Sequence, residues 1–318
     1  MIMKKFIGLI IAVITVNYAY PQNTLSEHEW KVTLKVVDEN GRPMAGAKAA
    51  VGYYSNSKPA TIDGLTDTNG IFTATHRARS GILGFSAEKA GYYTTREPSY
   101  ELGFSYDEAT WNPTITLVLR KVGLPIPMYA RNAKIEIPET GKSIGYDLTE
   151  GDWVAPYGKG KQSDFIFRAE RRWVSRNDFD SSIKLSFPNP GDGLVKASVP
   201  LDQGSQLRLP AIAPSDGYLS ELSKSLSHTP VNGWKDEQSS ERNYYFRVRT
   251  VLEGQGKLKS ALYGKIYGEF LLDPINSKTT WIIFTYYLNP TPNDRNVEFD
   301  PKHNLMKNLK PLEGVDAP

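Results

Sequence analysis

No cysteine occurs anywhere in the 318 residues. That absence excludes disulfides, thiolate metal centres, a cysteine nucleophile and the cysteine that a lipid anchor needs, so core burial has to stabilise the chain. Histidine is scarce as well: His28, His76, His228 and His303 are scattered, and no HExxH spacing presents two of them on one face. The chain also lacks a GxSxG elbow, a Walker loop and a GxGxxG fingerprint, so serine-hydrolase and nucleotide chemistry have no local geometry to start from. No catalytic residue is therefore assigned. Strong charge of one sign is missing too. The formal net charge is +3, and loss of Lys4 and Lys5 with an N-terminal leader takes it to +1. Arg168, Arg171 and Arg172 cluster, but Asp164, Glu170 and Asp178 are interspersed. That is not the sustained basic face that nucleic acid requires, and no nucleic-acid partner is expected.

One apolar run exists, and it is short. Lys4 and Lys5 precede apolar residues 6–16, and Ala19 offers a small residue for cleavage. This pattern reads as a signal peptide over residues 1–19. The run falls short of the roughly 20 residues that span a bilayer, and no later segment reaches that length, so no transmembrane segment is expected after cleavage. The expected compartment is periplasmic or secreted. With 21 prolines and 26 glycines the mature chain is rich in turns, and its length suits two domains of ordinary size.

Short alternating segments dominate the mature chain. Residues 30–37 read as a half-buried strand, with Val32, Leu34 and Val36 on one face. Asp38-Glu39-Asn40-Gly41 then makes a turn, Pro43 leads into a strand at 45–54, and Asp67-Thr68-Asn69-Gly70 signals a hairpin into residues 71–75. Strands at 84–89 and 114–120 complete a set whose spacing argues for a sandwich. The succession Val37-Asp38-Glu39-Asn40-Gly41-Arg42-Pro43-Met44-Ala45-Gly46-Ala47, then Thr66 to Phe72, then Ala87-Glu88-Lys89-Ala90-Gly91-Tyr92, resembles the carboxypeptidase-regulatory-like domain, a transthyretin- or prealbumin-like sandwich. The resemblance covers residues 30–121. It implies an Ig-like fold and an accessory or spacer role, and it brings no catalytic residue. The excursion over 94–112, with Trp111, departs from the family pattern.

Leu124-Pro125-Ile126-Pro127 suggests a linker over residues 122–129, because alternating proline favours extended backbone and breaks sheet pairing. A second, β-rich and sandwich-like domain is expected over residues 130–306, and it resembles no named family. Its strand candidates lie at 133–138, 165–168, 183–187, 193–199, 243–252, 261–272 and 279–288. One helix is expected over 215–226, from Tyr218, Leu222 and Leu226 at fourfold spacing with Asp216 as cap. Residues 307–318 are expected to form a mobile tail. The whole reads as all-β.

Three groups of residues could carry function. Asp147, Glu150 and Asp152 beside Trp153 could supply paired carboxylates for a secreted hydrolase of polysaccharide or peptide. Asp294, Asn296, Glu298 and Asp300 alternate, so an extended chain would turn four oxygen donors to one face and could gather calcium, the one cofactor considered. Adjacent tyrosines such as Tyr244 and Tyr245 should place one ring outward, and with Trp153 they are candidate stacking platforms for carbohydrate. The function expected is that of an exported non-catalytic binding or structural protein that recognises carbohydrate or a cell-envelope protein.

Overall fold

A computed structural model describes residues 28–55, 58–78, 80–98, 112–197, 204–236, 243–273 and 279–318. The expected leader and most of the 94–112 excursion, including Trp111, lie outside the described residues. Within them the chain is all-β, with sheets packed as sandwiches. Among the described residues no helix is long and apolar enough to cross a membrane.

The first seven strands are β1 (His28–Asp38), β2 (Lys48–Ser55), β3 (Lys58–Leu65), β4 (Ile71–Ala78), β5 (Ser80–Glu88), β6 (Thr95–Pro98) and β7 (Thr114–Leu119). They form a three-stranded sheet, β4-β1-β7, and a four-stranded sheet, β3-β2-β5-β6. The period of two decides which residues meet. β1 sends Trp30, Val32, Leu34 and Val36 inward, β2 sends Ala49, Val51 and Tyr53, and β7 sends Ile115, Leu117 and Leu119. Each such buried aliphatic side chain contributes about 1.5–3 kcal/mol.

Two copies of one turn shape this sandwich. In Asp38-Glu39-Asn40-Gly41 the Asp38 carboxylate accepts the N–H groups of Asn40 and Arg42, both at 2.8 Å, and the Arg42 N–H chiefly holds that carboxyl below its ordinary value. Asp67 does the same for Asn69 at 2.9 Å and Ile71 at 2.8 Å. Gly41 and Gly70 have φ of 76° and 73°, the region that disfavours side chains. The second turn is not the hairpin expected, because β3 and β4 belong to different sheets and Gly70 carries the chain from one sheet to the other.

The remaining strands are β8 (Ile126–Glu136), β9 (Ser143–Asp147), β10 (Asp152–Trp153), β11 (Phe165–Ser175), β12 (Asp178–Ser186), β13 (Gly193–Ala197), β14 (Glu221–Thr229), β15 (Gly233–Asp236), β16 (Asn243–Glu253), β17 (Lys257–Asp273), β18 (Trp281–Leu288) and β19 (Phe299–Asn304). Two six-stranded sheets result, β10-β9-β11-β12-β14-β15 and β13-β16-β17-β18-β8-β19. Between them lies an aromatic core that includes Tyr146, Phe165, Phe167, Phe246, Phe270, Phe284 and Tyr286. The second sheet has a further apolar layer on its opposite face, built from Met128, Tyr245, Tyr263, Tyr267, Tyr287 and Phe299. Loops and the C-terminal segment cover that layer.

Three expectations are corrected here. The 122–129 linker is in large part sheet: β8 starts at Ile126, and the preceding N–H groups of Gly123 and Leu124 are bonded to Glu298 at 2.8 and 2.7 Å. Pro127 is tolerated because β18 pairs with β8 only from Tyr129 onward. The helix expected over 215–226 is absent: residues 215–220 are bends and an isolated bridge at Leu219, and β14 begins at Glu221. Fourfold spacing is also a multiple of two, so Leu222 and Leu226 satisfy a strand equally well. The tail expected to be mobile is docked: Glu313 bonds Arg131 at 2.7 Å, Val315 and Ala317 pack on the outer apolar layer, and the Pro318 carbonyl accepts the Tyr267 hydroxyl at 2.7 Å.

Candidate functional site

The acids expected to serve a hydrolase are saturated with bonds. Asp147 accepts the Thr149 hydroxyl at 2.7 Å and the N–H groups of Thr149, Glu150, Lys161 and Gln162. Burial alone would raise its pKa, but these donors together hold it below the ordinary value. Asp164, which no sequence pattern marks as part of this cluster, is fully buried and accepts Arg249 through Nε at 2.7 Å and Nη2 at 2.9 Å. Here burial wins over the guanidinium, and the pKa is raised. Arg249 reaches both acids because it sits at φ 55° in a bulge of β16, which re-aims its side chain. Glu150 pairs with Lys161 at 2.6 Å, and the two Asp152 oxygens hold the N–H groups of Trp153 and Lys159. This cluster pins loops.

Trp153 is core rather than platform. It is buried, donates its indole N–H to the Glu136 carbonyl at 3.0 Å, and meets Tyr146 and Phe167 edge-on. Tyr244 and Tyr245 do alternate across the sheet, but neither faces out. Tyr244 enters the inter-sheet core and donates to Glu269 at 2.7 Å, while Tyr245 enters the outer apolar layer and donates to the Pro210 carbonyl at 2.8 Å. The expectation of an outward ring fails because this sheet is covered on both faces.

The four oxygen donors expected to gather calcium are not brought together. The chain turns at Asn293, at φ 63°, and from there to Glu298 it is irregular apart from an isolated antiparallel bridge between Asn296 and Ile212. Asp294 accepts the Asn296 N–H at 3.0 Å, Asn296 accepts the Glu298 N–H at 2.9 Å, and Asp300 meets His303 at 2.6 Å. Glu298 is buried against Gly123, Leu124 and the Tyr93 hydroxyl. Among the described residues no group of three or more His, Asp or Glu is placed to hold a metal ion.

An aromatic row appears at positions that the sequence does not single out. Trp173 of β11, Phe179 of β12, His228 of β14 and Trp234 of β15 stand directly opposite one another across four neighbouring strands. Trp173 stacks on Phe179 with centroids 5.6 Å apart at 22°, Trp234 meets Phe179 edge-on at 5.7 Å, and His228 lies 5.6 Å from Trp234. Phe179 is fully buried and ties the row to the core, whereas Trp234 is 51% exposed. The Arg171 guanidinium lies 5.0 Å from the Trp173 ring centre, while the Arg172–Asp178 pair stands on the opposite face of the sheet, and His228 Nδ1 is 3.3 Å from the Arg176 carbonyl. A carbonyl only accepts, so that nitrogen carries the proton in the bond. One exposed indole backed by buried and half-buried rings, with a guanidinium on the same face, suits a ligand that is apolar on one face and polar at its edges.

No protein-family model matches the chain, and no curated protein sequence matches it. Among solved structures it is similar to a Streptococcal ancillary pilin, at 12% identity and a TM-score of 0.21 over 82% of this chain and 59% of that one. It is also similar to the shaft pilin SpaA of Lactobacillus rhamnosus GG, at 11% identity and a TM-score of 0.22 over 85% of this chain and 94% of that one. The chain thus spans less than two thirds of the ancillary pilin's length. Its functional reading rests on its own residues.

Proposed function

We propose that the chain is an exported, non-catalytic binding protein of the periplasm or cell exterior, and that the Trp173–Phe179–His228–Trp234 row holds carbohydrate. The single observation behind this reading is the half-exposed Trp234 on a row anchored in the core. A sugar ring presents C–H groups on its face and hydroxyls at its edge, so it can lie on indole while Arg171, on the same face as Trp173, meets the hydroxyls. The first sandwich, of the carboxypeptidase-regulatory-like kind, acts as a spacer, and an envelope glycan is the partner. The hydrolase alternative weakens because Asp147, Asp152 and Asp164 already hold several donors each.

The test is retention of the full chain on insoluble peptidoglycan, chitin and xylan, with Trp234→Ala and Trp153→Phe compared with the parent. Trp234→Ala should lose about tenfold in retention, as expected for one lost stacking partner worth roughly 1–1.5 kcal/mol, with little change in melting midpoint. Trp153→Phe, in the core, should bind like the parent. Retention that ignores Trp234, or absence of retention on all three, would sink the proposal. Release of soluble sugar from any of them would move the protein to the hydrolase class.

A further inference from the structure

A cleft of about 630 Å³ lies on the opposite part of the same sandwich, between β8, the β9–β10 turn and the docked C-terminal segment. Its lining carries acids and cations, but they are not equivalent. Every acid is committed: Glu313 to Arg131 and the Lys310 N–H, Glu150 to Lys161, and Asp152 to two backbone N–H groups. The ammonium groups of Lys159, Lys307 and Lys310 form no ion pair with any described residue. The Asp152 carboxylate has no cation partner among the described residues, so three ammonium groups face one such acid and the cleft carries an excess of positive charge, with the Arg131 guanidinium beneath it.

The backbone supplies a second, independent feature. Asn308 sits in the left-handed region at φ 57°, and the successive N–H groups of Lys307, Asn308 and Leu309 donate to no acceptor among the described residues. Consecutive backbone N–H groups around a left-handed residue form a concavity that gathers an anion. The flanking Met306 and Lys310 N–H groups, by contrast, are taken by Asn304 and Glu313. Open donors are thus confined to the stretch that the lysines surround.

We infer that this cleft is an oxyanion site, with the N–H groups of Lys307, Asn308 and Leu309 holding a phosphate group and Lys159, Lys307 and Lys310 neutralising it. The volume admits the rest of a polar molecule of several rings' size, so the ligand class is a phosphate ester, in solution or as a lipid headgroup. The site shares no residue with the aromatic row, and either can fail alone.

Inorganic pyrophosphate titrated into the isotope-labelled full chain at low salt is the direct probe. The amide signals of Asn308 and Leu309 should shift saturably, and 0.5 M NaCl should abolish the shift by screening. Lys307→Gln/Lys310→Gln should weaken binding by about tenfold or more. Lys31→Gln/Lys35→Gln carries the same charge change on the exposed side of β1 and should leave it unchanged. A response to phosphatidylglycerol vesicles but not to pyrophosphate, at the same amides, would assign the phosphate to a lipid. No saturable shift with either probe, or equal weakening in both double variants, overturns the assignment.

Discussion

Replacing Lys224 by methionine tests how the two sheets of the second sandwich are joined. Lys224 on β14 and Glu269 on β17 face each other across the core, 3.0 Å apart, each with only 5% of its side chain exposed. Glu269 Oε1 also accepts the Tyr244 hydroxyl at 2.7 Å, and Oε2 is buried with no partner. Methionine fills the lysine's volume without its charge, so the variant leaves a carboxylate inside an aromatic core held only by the Tyr244 hydroxyl and the Phe270 N–H. Breaking a buried pair from one side costs about 3–5 kcal/mol. Urea denaturation of parent and variant at pH 7 measures the loss, with the slope m expected to stay constant. Adding Glu269→Gln to the variant should recover most of the loss by removing the charge. A deficit below about 1 kcal/mol, or one that persists in the double variant, would refute the buried pair.

The twin turns give an internally controlled experiment. Gly70→Ala forces a Cβ to 2.3 Å from the Val36 carbonyl oxygen and 2.9 Å from Met44 N, at φ 73°, whereas Gly41→Ala meets nothing within 4 Å at φ 76°. Gly41→Ala should cost only the backbone term, about 1 kcal/mol, and Gly70→Ala should cost about 2–3 kcal/mol or more. Thermal unfolding compares the two, and equal costs would mean that the approach to β1 is not close. Alkali should unfold the protein cooperatively. Burial raises Tyr53 to about 12 and raises Tyr146, Tyr245 and Tyr267 as well. Between pH 10 and 12 the unfolded chain therefore loses tyrosine protons that the folded chain keeps, and stability falls as pH rises. Tyrosinate absorbance should appear together with loss of β-sheet circular dichroism. Smooth titration near pH 10 with the sheet intact would show that these rings are accessible.

Much of the first sandwich was legible because one face of each strand is apolar and each turn carries its own chemistry. Val32, Leu34 and Val36 alternate, and an aspartate three residues before a glycine marks both turns. The second sandwich was harder to read, since its β16–β18 sheet is buried on both faces and alternation there separates two apolar layers rather than core from solvent. Tyr244 and Tyr245 show the consequence: the period of two was right, and the inference from it to an exposed ring was not. The docked tail has the same cause, because a sheet with a second apolar face needs a cover, and Val315, Ala317 and Pro318 contribute to it. No local pattern announces that need.

The aromatic row and the open N–H groups near Asn308 were illegible for a different reason. Trp173, Phe179, His228 and Trp234 meet only after β11, β12, β14 and β15 are in register. Each is one residue in an ordinary strand end, and the turns between them look like any polar connection. Trp153 and Trp234 are the instructive pair. Both follow a glycine or a short polar turn and both stand on edge strands of the same sheet, β10 and β15, yet the indole of Trp153 is buried and bonded to the Glu136 carbonyl while that of Trp234 is half exposed. What the other strands lay over each edge, through contacts remote in sequence, decides between these fates. An edge strand with an aromatic residue at its tip leaves apolar surface that a soluble fold would ordinarily cover. The rigid support of Trp234 by Phe179 makes that surface a persistent feature of the fold rather than a passing exposure, which is why the binding reading is carried by Trp234 and not by the more numerous buried tyrosines.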